Sequence, residues 1–438
     1  MIFCVTEKPI EQSEKLKSQA IEAAKAGEWI MAGEFLVALD KLFPDNVDLQ
    51  RDIAVCYANA RNISAAARAY QRVLDMMPRN YLFLAEAARA LLNNGFISDA
   101  MSAFRSAIAL VKGSSDEAQL LWEYSVFLCL LGENVEGRKL YEARLDYEKA
   151  IQLCPKHLPQ WQGENSHVKT LIIYHEQGMG DVIQFARFVP LVKKMFGGRI
   201  ILVVKKPLVS LLKQLVKEDE IMELRAGVEF RNICRYDYAV AIMSLPFKMN
   251  VPFEDYSIDK YLAVGEEEIC PEIATVVARL ILIDKPKIGF CSSGRPTKQD
   301  TLWRDCPLEY SLKLIGKEGY CWVNLNMNLK ERDFGPNVVN EIGLSQNFND
   351  TAALVDACDL IITVDTAIAH LAGAMGKPVW LLLFYESEWR WGLNTDKSYW
   401  YPIMRIFRQP TPGDWDTPLE KVAEELEKYC FKLVNGNE

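Results

Sequence analysis

Histidine and closely spaced cysteines are scarce in this chain of 438 residues. Its four histidines are scattered, and none of its eleven cysteines belongs to a C-x-x-C pair, so the sequence predicts neither a metal site nor a disulfide framework. No stretch approaches the ~20 apolar residues that span a bilayer, and the first residues turn charged too soon for a secretory signal. We therefore expect a cytoplasmic protein with reduced cysteines, no membrane span and no metal or other cofactor.

Positive charge is not in excess either. The net charge of −9 gives no electrostatic reason to expect nucleic acid or an anionic membrane as the main partner. Half of the residues are hydrophobic and a quarter are charged, which is an ordinary balance for a folded protein. At this length we expect two or three domains.

The first third of the chain repeats with a period of 34 residues. Four types of position keep this step: small residues at Ala32, Ala66 and Ala100, bulky ones at Leu36, Tyr70 and Phe104, turn residues at Gly27, Arg61 and Gly95, and prolines at Pro44 and Pro78. This is the layout of tetratricopeptide repeats, in which each unit is a helix, a tight turn and a second helix. The units run over about 13–46, 47–80 and 81–114, and a looser fourth begins near Ala118 with Gly132 at its turn.

Two roles for this array remain open at this stage. A stack of helical repeats offers a concave surface that holds a protein or peptide. Alternatively, the array is a structural brace that covers one face of the next domain. Four units are few, and some of them must serve as the junction with the rest of the chain.

Strands alternate with helices after the array, which predicts two parallel sheets with right-handed crossovers. We expect strands at 168–175, 199–204, 238–243, 288–291, 320–325, 360–364 and 379–383, and helices at 182–196, 207–216, 308–317, 352–358 and 367–375. The predicted domains are the repeat array at 1–154, a linker at 155–167, a first Rossmann-like domain at 168–284 and a second at 285–438, whose last helix packs back. Ligands of such sheets lie beyond the carboxyl ends of the strands, so three loops that follow strands become candidates.

The first loop, EQGMGD, joins a predicted strand to a predicted helix. Gly178 and Gly180 leave backbone N–H groups free to face an anion at the helix N-terminus, and Gln177 and Gln184 flank this turn. Asp181 is either a helix cap, a role that aspartate fills well, or a base that takes a proton from an attacking hydroxyl. The third glycine of the dinucleotide fingerprint is missing.

The second loop, SSGRPTKQDTLWRD, is basic. Arg295, Lys298 and Arg304 follow Ser293 and Gly294, and guanidinium and ammonium groups beside small hydroxyl residues suit a diphosphate. A solvated loop with ordinary surface charge is the alternative. The spacing is not that of a Walker A motif.

The third loop opens the run VDTAIAHLAGAMGKPVW. Asp365 and Thr366 end a strand, and the helix after them consists of small residues that can pack close to a sheet. Either residue could cap this helix, and its N-terminus could point at a ligand. His370 is a candidate for the site or a buried core histidine.

Taken together, these segments resemble one family. HEQGMGDVIQFARFVPLV is similar to the start of the catalytic domain of tetratricopeptide-containing bacterial glycosyltransferases, which are related to heptosyltransferases and more distantly to O-GlcNAc transferase. DTAIAHLAGAMGKPVWLLL, WRW at 389–391, WYP at 400–402 and FRQPTPGDW at 407–415 resemble the carboxyl-terminal signature of this family. PQWQGE at 159–164 resembles its linker, so the resemblance covers essentially the whole chain.

The resemblance implies a GT-B fold, in which two Rossmann-like domains face a cleft and a nucleotide-sugar is held mainly by the second. It implies that Asp181 is the general base and that Arg304, with Arg295 or Lys298, holds the donor diphosphate without a metal. Asp365, Thr366 and His370 match the family's D-T-x-x-x-H pattern at the donor site. Asn326 stands where related chains often carry glutamine near the nucleotide. The basic loop departs from the family at CSSGRP and at Trp303, which leaves the donor unidentified.

The sequence thus predicts a glycosyltransferase that moves a sugar from a nucleotide-sugar to a protein or glycan acceptor, with the repeats as a candidate acceptor surface. Three alternatives remain: a catalytically degenerate GT-B protein that binds partners through its repeats, a scaffold for a glycosylation complex, and a dinucleotide-dependent oxidoreductase. The sugar, the nucleotide, the acceptor and the stereochemical outcome stay open. A homo-oligomer is also open, because the repeats and the tryptophan-rich tail could form interfaces.

Overall fold

The computed structural model describes residues 7–435 except 61, 78, 94–95, 133, 148–157, 218–219, 225–235, 266–268, 295–303, 386–387, 394 and 412. The chain divides into two compact units, Met1–Tyr124 and Ser125–Glu438. None of the helices in the described part of the chain combines the length and the apolar character that crossing a membrane requires.

Eight helices form the repeat array, and the first six pack as successive antiparallel pairs. They are α1 (Glu7–Lys25), α2 (Trp29–Asp40), α3 (Val47–Asn59), α4 (Ile63–Met76), α5 (Tyr81–Asn93), α6 (Ile97–Val111), α7 (Glu117–Leu130) and α8 (Asn134–Tyr141). Helix α7 contains the division between the two compact units. The helical array predicted from the 34-residue period is confirmed.

The residues that repeat are the ones that pack the helix pairs together. Ala32, Ala66 and Ala100 are fully buried, and the bulky Tyr70 and Phe104 are buried beside them. A methyl side chain lets the second helix of each pair approach the first, and the aromatic ring fills the space that remains. The turn residues at 61 and 95 and the proline at 78 lie outside the described residues.

Two parallel sheets follow the array, and both belong to the second compact unit. The first, in the order β3-β2-β1-β4, consists of β1 (Thr170–Tyr174), β2 (Arg199–Val204), β3 (Ile221–Glu223) and β4 (Tyr238–Ala241). The second, in the order β10-β9-β8-β5-β6-β7, consists of β5 (Lys287–Cys291), β6 (Cys321–Asn324), β7 (Val338–Val339), β8 (Leu360–Val364), β9 (Val379–Leu383) and β10 (Met404–Arg408). We call each sheet with its helices the first lobe and the second lobe. The predicted fold class, a helical array followed by two Rossmann-like halves, is confirmed.

Helices connect these strands and pack on the sheets. They are α9 (Met179–Phe185), α10 (Val189–Phe196), α11 (Val209–Leu212), α12 (Leu245–Lys248), α13 (Pro271–Ile281), α14 (Leu308–Ser311), α15 (Phe348–Asp356), α16 (Ala367–Ala374) and α17 (Asp416–Asn435). The last helix, α17, contacts β9 and β10, with the Tyr429 ring 5.6 Å from that of Trp380.

The single helix predicted over 182–196 is wrong in detail, because it is two α-helices with a 3₁₀ turn, Ala186–Phe188, between them. Pro190 lies in the first turn of α10. Its ring would clash with the carbonyl four residues earlier in a continuous helix, and it has no N–H to donate. On the amino-terminal side of this break, α9 packs against α16 of the second lobe.

A buried arginine holds the two lobes together behind this break. Arg187 is 2% exposed, and its Nη1 donates to the carbonyl oxygens of Tyr256 and, at 2.8 Å, of Trp400. Its guanidinium also lies 5.1 Å from the centre of the Trp400 ring. Since Trp400 belongs to the second lobe, one side chain of the first lobe satisfies backbone groups of both.

The array gives a first testable prediction. Replacing Ala100 by leucine should destabilise the array by about 1–3 kcal/mol, because three further carbons must enter a fully packed helix pair. Ala109→Leu is the matched control, since Ala109 is exposed on the same helix. Urea denaturation followed by far-UV circular dichroism measures both; equal effects would contradict this packing role.

Candidate active site

A cavity of about 850 Å³ lies where the carboxyl ends of both sheets meet. The first lobe contributes Gln177, Gly178, Met179, Gly180, Asp181, Lys205 and Pro207 to its lining. The second lobe contributes residues from the five segments that follow β5, β6, β7, β8 and β9, among them Ser293, Gly294, Arg304, Asn326, Asp365, Thr366, His370, Glu388 and Arg390. The sequence-predicted site residues therefore lie together in one cavity, apart from Gln184, which is buried beside it, and from Arg295 and Lys298, which lie outside the described residues.

The glycine turn brings two helices into close contact. Gly178 is the N-cap of α9, and Gly180 lies in the first turn of this helix. A Cβ at position 180 would be 2.9 Å from His370 Cδ2 and 3.2 Å from Ala367 Cα, both on α16. The absence of a side chain at Gly180 thus allows α9 of the first lobe to pack directly against α16 of the second. The two helix N-termini open into the same cavity.

Asp181 lies at the third position of α9, where its carboxylate caps the helix that begins after Gly178, and its role as a base stays a prediction. Its Oδ2 accepts a hydrogen bond of 2.8 Å from the backbone N–H of Gly178, which is the bond of a helix cap. Its Oδ1 accepts from Nη2 of Arg390. The side chain is 19% exposed and lines the cavity. Capping therefore orients the carboxylate toward the cavity without closing it off.

Arg390 is a site residue that the sequence analysis missed. Its side chain is 6% exposed, and its three nitrogens donate to Asp181, to Glu388 and, at 2.7 Å, to Oε1 of Gln184. Burial opposes its charge, but the two carboxylates raise its pKa, so it is cationic. It occupies the middle of the WRW signature, where a charged residue between two tryptophans was the available signal.

Glu388 completes this ion-pair group. Burial raises its pKa, while Arg390 opposes the shift. The cluster Asp181–Arg390–Glu388 has one positive and two negative groups and spans both lobes. Each nitrogen of this buried guanidinium donates to one side-chain acceptor, which restricts the geometry of each partner.

The basic loop leaves its last arginine at the cavity. Arg304 donates to Asp365 at 2.9 Å, and 33% of its side chain is exposed, whereas Asp365 is nearly buried. Asp365 thus holds the guanidinium of Arg304 beside the N-terminus of α16. At the start of the same loop, Gly294 donates its backbone N–H to Asp305 at 2.9 Å.

Asparagines at the end of β6 organise the serines of the loop. Asn326 is 1% exposed, and its Nδ2 donates to Ser293 Oγ at 2.8 Å. Its Oδ1 accepts from the backbone N–H of Asn328. Asn328 in turn donates to the carbonyl oxygen of Gly294. The sequence analysis predicted Asn326 as a site residue and missed Asn328. Its amide, two residues after that of Asn326 in the run N-M-N, was the available signal.

Thr366 and His370 belong to α16. Thr366 is the N-cap, and its Oγ1 accepts from the backbone N–H of Ile368 at 3.3 Å. Nδ1 of His370 is 3.0 Å from Tyr401 Oη, and its ring stacks on Trp391 at 5.3 Å. Burial and three nearby arginines hold the pKa of His370 well below its usual range, so its ring is neutral. His370 is both a packed histidine and part of the cavity wall.

The part of the chain that the structure describes contains no cluster of three histidine, cysteine, aspartate or glutamate residues that could hold a metal ion. The cations at the cavity are Arg304, Arg390 and Lys205. Helix N-termini add partial positive charge at Gly178 and at Thr366. The cavity therefore combines an oriented carboxylate with a set of groups suited to an anionic ligand.

Comparison with known proteins agrees with the resemblance read from the sequence. Residues 339–399 match the model of glycosyltransferase family 9 (heptosyltransferase). This segment contains β8, α16, β9 and the WRW signature, and hence Asp365, Thr366, His370 and Arg390. Protein FlbA of Caulobacter vibrioides is 25% identical over 371 residues, which are 78% of this chain and 61% of FlbA, so the chain spans less than two thirds of that relative.

Solved structures of glycosyltransferases are similar at low identity. The glycosyl transferase family 9 protein of Veillonella parvula is 14% identical, with 60% of this chain and 91% of that chain covered and a TM-score of 0.42. For ADP-heptose lps heptosyltransferase II of E. coli the identity is 16%, the coverage 61% and 99%, and the TM-score 0.41. A mutant of Thermobaculum terrenum O-GlcNAc transferase is 12% identical, with 99% of this chain and 95% of that chain covered and a TM-score of 0.32.

A second buried histidine makes the stability of this region depend on pH. His175 directly follows β1, shortly before the glycine turn, and is 1% exposed. Burial, with the charge of Lys205 nearby, lowers its pKa to about 4 from an ordinary value of 6.5. Between these values the unfolded chain binds a proton that the folded chain does not, so stability falls as the pH falls from 6.5 toward 4.

We predict that His175→Gln removes about 2 kcal/mol of the stability difference between pH 7 and pH 5, because glutamine has no proton to gain. Urea denaturation at the two pH values measures the difference. His167→Gln serves as the matched control, since His167 is exposed, and it should leave the difference as in the wild type. An equal pH dependence in wild type and His175→Gln would refute the assignment.

Proposed function

We propose that this protein is a glycosyltransferase that moves a sugar from a nucleotide-diphosphate sugar to a hydroxyl group of a protein or glycan acceptor. One observation carries the proposal. An oriented carboxylate, Asp181, lies in the same cavity as a cation, Arg304, and the N-terminus of α16. The match of residues 339–399 to glycosyltransferase family 9 supports the same chemistry.

The second lobe supplies the groups that we assign to the donor. Arg304 is held by Asp365 beside the N-cap Thr366, so a guanidinium and the N-terminus of α16 line the same cavity. These are the groups that bind a diphosphate. Asn326 and Ser293 line the neighbouring part and offer hydrogen bonds to a ribose or a sugar. In this proposal protein groups, and not a metal ion, neutralise the diphosphate.

The first lobe supplies the base. The acceptor hydroxyl attacks the anomeric carbon, and the bond from that carbon to the diphosphate oxygen breaks. Asp181 takes the proton of the hydroxyl, and the nucleoside diphosphate leaves with the electron pair of the broken bond. Arg304 and the N-terminus of α16 stabilise the charge that develops on the leaving group. Arg390 keeps Oδ1 of Asp181 in a fixed position during the transfer.

We predict that Asp181→Asn lowers turnover by about 10²–10⁴-fold, because an amide cannot accept the proton. The measurement is release of nucleoside diphosphate from a panel of UDP-, GDP- and ADP-sugars in the presence of a candidate acceptor. Asp259→Asn, at an exposed aspartate away from the cavity, is the matched control. A correctly folded Asp181→Asn protein with wild-type turnover would exclude Asp181 as the base.

Donor binding is tested without knowledge of the acceptor. Thermal-shift titrations with UDP, GDP, ADP, CMP and TDP, and with NAD as the contrasting ligand, should show one nucleoside diphosphate that raises the melting temperature. Arg304→Ala should weaken that ligand about 10- to 100-fold, since a charge-assisted hydrogen bond contributes about 1.5–3 kcal/mol.

Arg279→Ala is the control for the Arg304 variant, because Arg279 is an exposed arginine that also pairs with a carboxylate, Glu341. It should leave the shift unchanged. A wild-type protein that no nucleotide stabilises would favour a degenerate transferase that acts through its repeats. Stabilisation by NAD alone would instead favour a dinucleotide-dependent enzyme.

A further inference from the structure

The segment that ends the repeat array lies against the loop that carries the glycine turn. Helix α8 ends at Tyr141, and a 3₁₀ turn, Glu142–Leu145, follows. Arg144 in this turn is 1% exposed. Its Nε and Nη2 donate to the two carboxylate oxygens of Glu176, at 2.8 and 2.7 Å. Glu176 stands two residues before Gly178, so the 3₁₀ turn after α8 is joined to the start of the glycine turn by a buried bidentate ion pair.

Further hydrogen bonds make this ion pair rigid. The guanidinium of Arg144 also donates to the carbonyl oxygen of Tyr141, to Glu142 Oε1 and, at 2.8 Å, to Ser244 Oγ. Glu176 Oε1 accepts in addition from the backbone N–H of Met243, at 3.0 Å. A buried ion pair whose remaining donors and acceptors are also used holds its partners in one arrangement.

Tyr141 makes a second link to the same loop. The side-chain amide of Gln177 donates to Tyr141 Oη at 3.0 Å. Gln177 has a φ of +57°, a left-handed conformation that residues other than glycine seldom adopt. Such a conformation persists only where the surroundings impose it. The bond to Tyr141 is one constraint on Gln177, the residue directly before Gly178, and a bond of 3.5 Å from Lys205 Nζ to the carbonyl oxygen of Gln177 is another.

The other side of Tyr141 faces the second lobe. Its ring centre is 5.8 Å from that of Trp389. The guanidinium of Arg390 lies over the same tryptophan, 4.5 Å from the ring centre. Arg390 is the residue that binds Asp181. One tyrosine at the end of the array therefore contacts both the turn before Asp181 and the tryptophan that supports the partner of Asp181.

We infer that Tyr141 and Arg144 are positioning residues of the glycosyl-transfer site, which fix the carboxylate of Asp181 from outside the two lobes. Neither residue lines the cavity. Arg144 binds Glu176, and Tyr141 contacts both Gln177 and Trp389. The first two contacts fix the start of the turn that carries Asp181, and the third supports Arg390, which binds Asp181. The effect on turnover rests on the proposed function, whereas the effect on the turn itself does not.

Of substitutions at Tyr141 and at Arg144, Tyr141→Phe changes fewer contacts and is the variant to test. It removes one hydroxyl and keeps the ring against Trp389, whereas loss of Arg144 would leave the charge of Glu176 buried without its partner and endanger folding. Tyr310→Phe is the matched control, because Tyr310 lies on α14 outside the cavity and the Tyr141 contacts. Thermal melts verify that each variant is folded.

The first measurement is hydrogen exchange on peptides that cover residues 175–185 in the full chain. The backbone N–H of Gly178 is bonded to Asp181 and that of Val182 to the carbonyl oxygen of Gly178, so both report on the turn. Loss of one hydrogen bond should speed their exchange about three- to tenfold in Tyr141→Phe and leave it unchanged in Tyr310→Phe.

The second measurement separates binding from turnover. In Tyr141→Phe, the thermal shift caused by the stabilising nucleoside diphosphate should stay as in the wild type, because the donor groups belong to the second lobe. Turnover should fall about three- to tenfold, in line with the same hydrogen bond. A purely structural defect would instead lower the melting temperature and the nucleotide shift together.

The outcomes are distinguishable. Faster exchange with lower turnover and unchanged nucleotide binding supports the inference. Faster exchange in a protein whose wild type turns over no nucleotide-sugar supports the positioning of the turn and rejects the proposed function. Exchange in Tyr141→Phe equal to that in Tyr310→Phe overturns the inference, whatever the activity.

Discussion

The contact between α9 and α16 at Gly180 is the constraint on which the cavity depends. Each helix starts at the carboxyl end of a sheet, and the position without a Cβ in α9 faces Ala367 and His370 of α16. A Cβ at 180 would be 2.9 Å from Cδ2 of His370 and 3.2 Å from Cα of Ala367, so the His370 ring or one of the two helices would have to shift. With glycine, two helix N-termini that come from different sheets share one space.

This contact also explains the charges around the cavity. Two helix N-termini in one space favour anionic groups there, and Asp181 and Asp365 occupy these places. Each carboxylate is then bound by an arginine of the second lobe, Asp181 by Arg390 and Asp365 by Arg304. The acidic groups are thereby fixed in orientation while the arginines stay at the cavity. Electrostatic preorganisation of this kind is the main source of transition-state stabilisation in many enzymes.

The fold could be predicted from the sequence wherever one local pattern decided the outcome. The 34-residue step fixed the helix pairs, and the buried strands β1, β8 and β9 are nearly continuous apolar runs, as both-side burial in a parallel sheet requires. Strands β3 and β7 are three and two residues long, too short for any periodicity, and they were missed. The break before α10 was missed because the residues around Pro190 otherwise favour one continuous helix, and only the proline indicated the interruption.

The candidate site was predictable to the extent that loops after parallel strands converge. Asp181, Arg304 and Asp365 were named because each follows such a strand, and the topology brings them together. Arg390 follows a buried turn, and its role depends on a contact across more than two hundred residues, with Gln184 and Asp181. No local pattern encodes such a contact. The bond between Arg144 and Glu176 likewise joins residues 32 positions apart, and no local pattern at the end of the fourth repeat indicated it.

The attachment of the glycine turn to the last repeat has a consequence for how such chains can vary in length. In a stack of repeats each unit contacts its neighbours alone. Only the segment from Tyr141 to Leu145 needs to keep its bonds to Glu176 and Gln177. Repeats ahead of α7 can therefore be added or removed without touching these bonds, so that the length of the array can change independently of the candidate site.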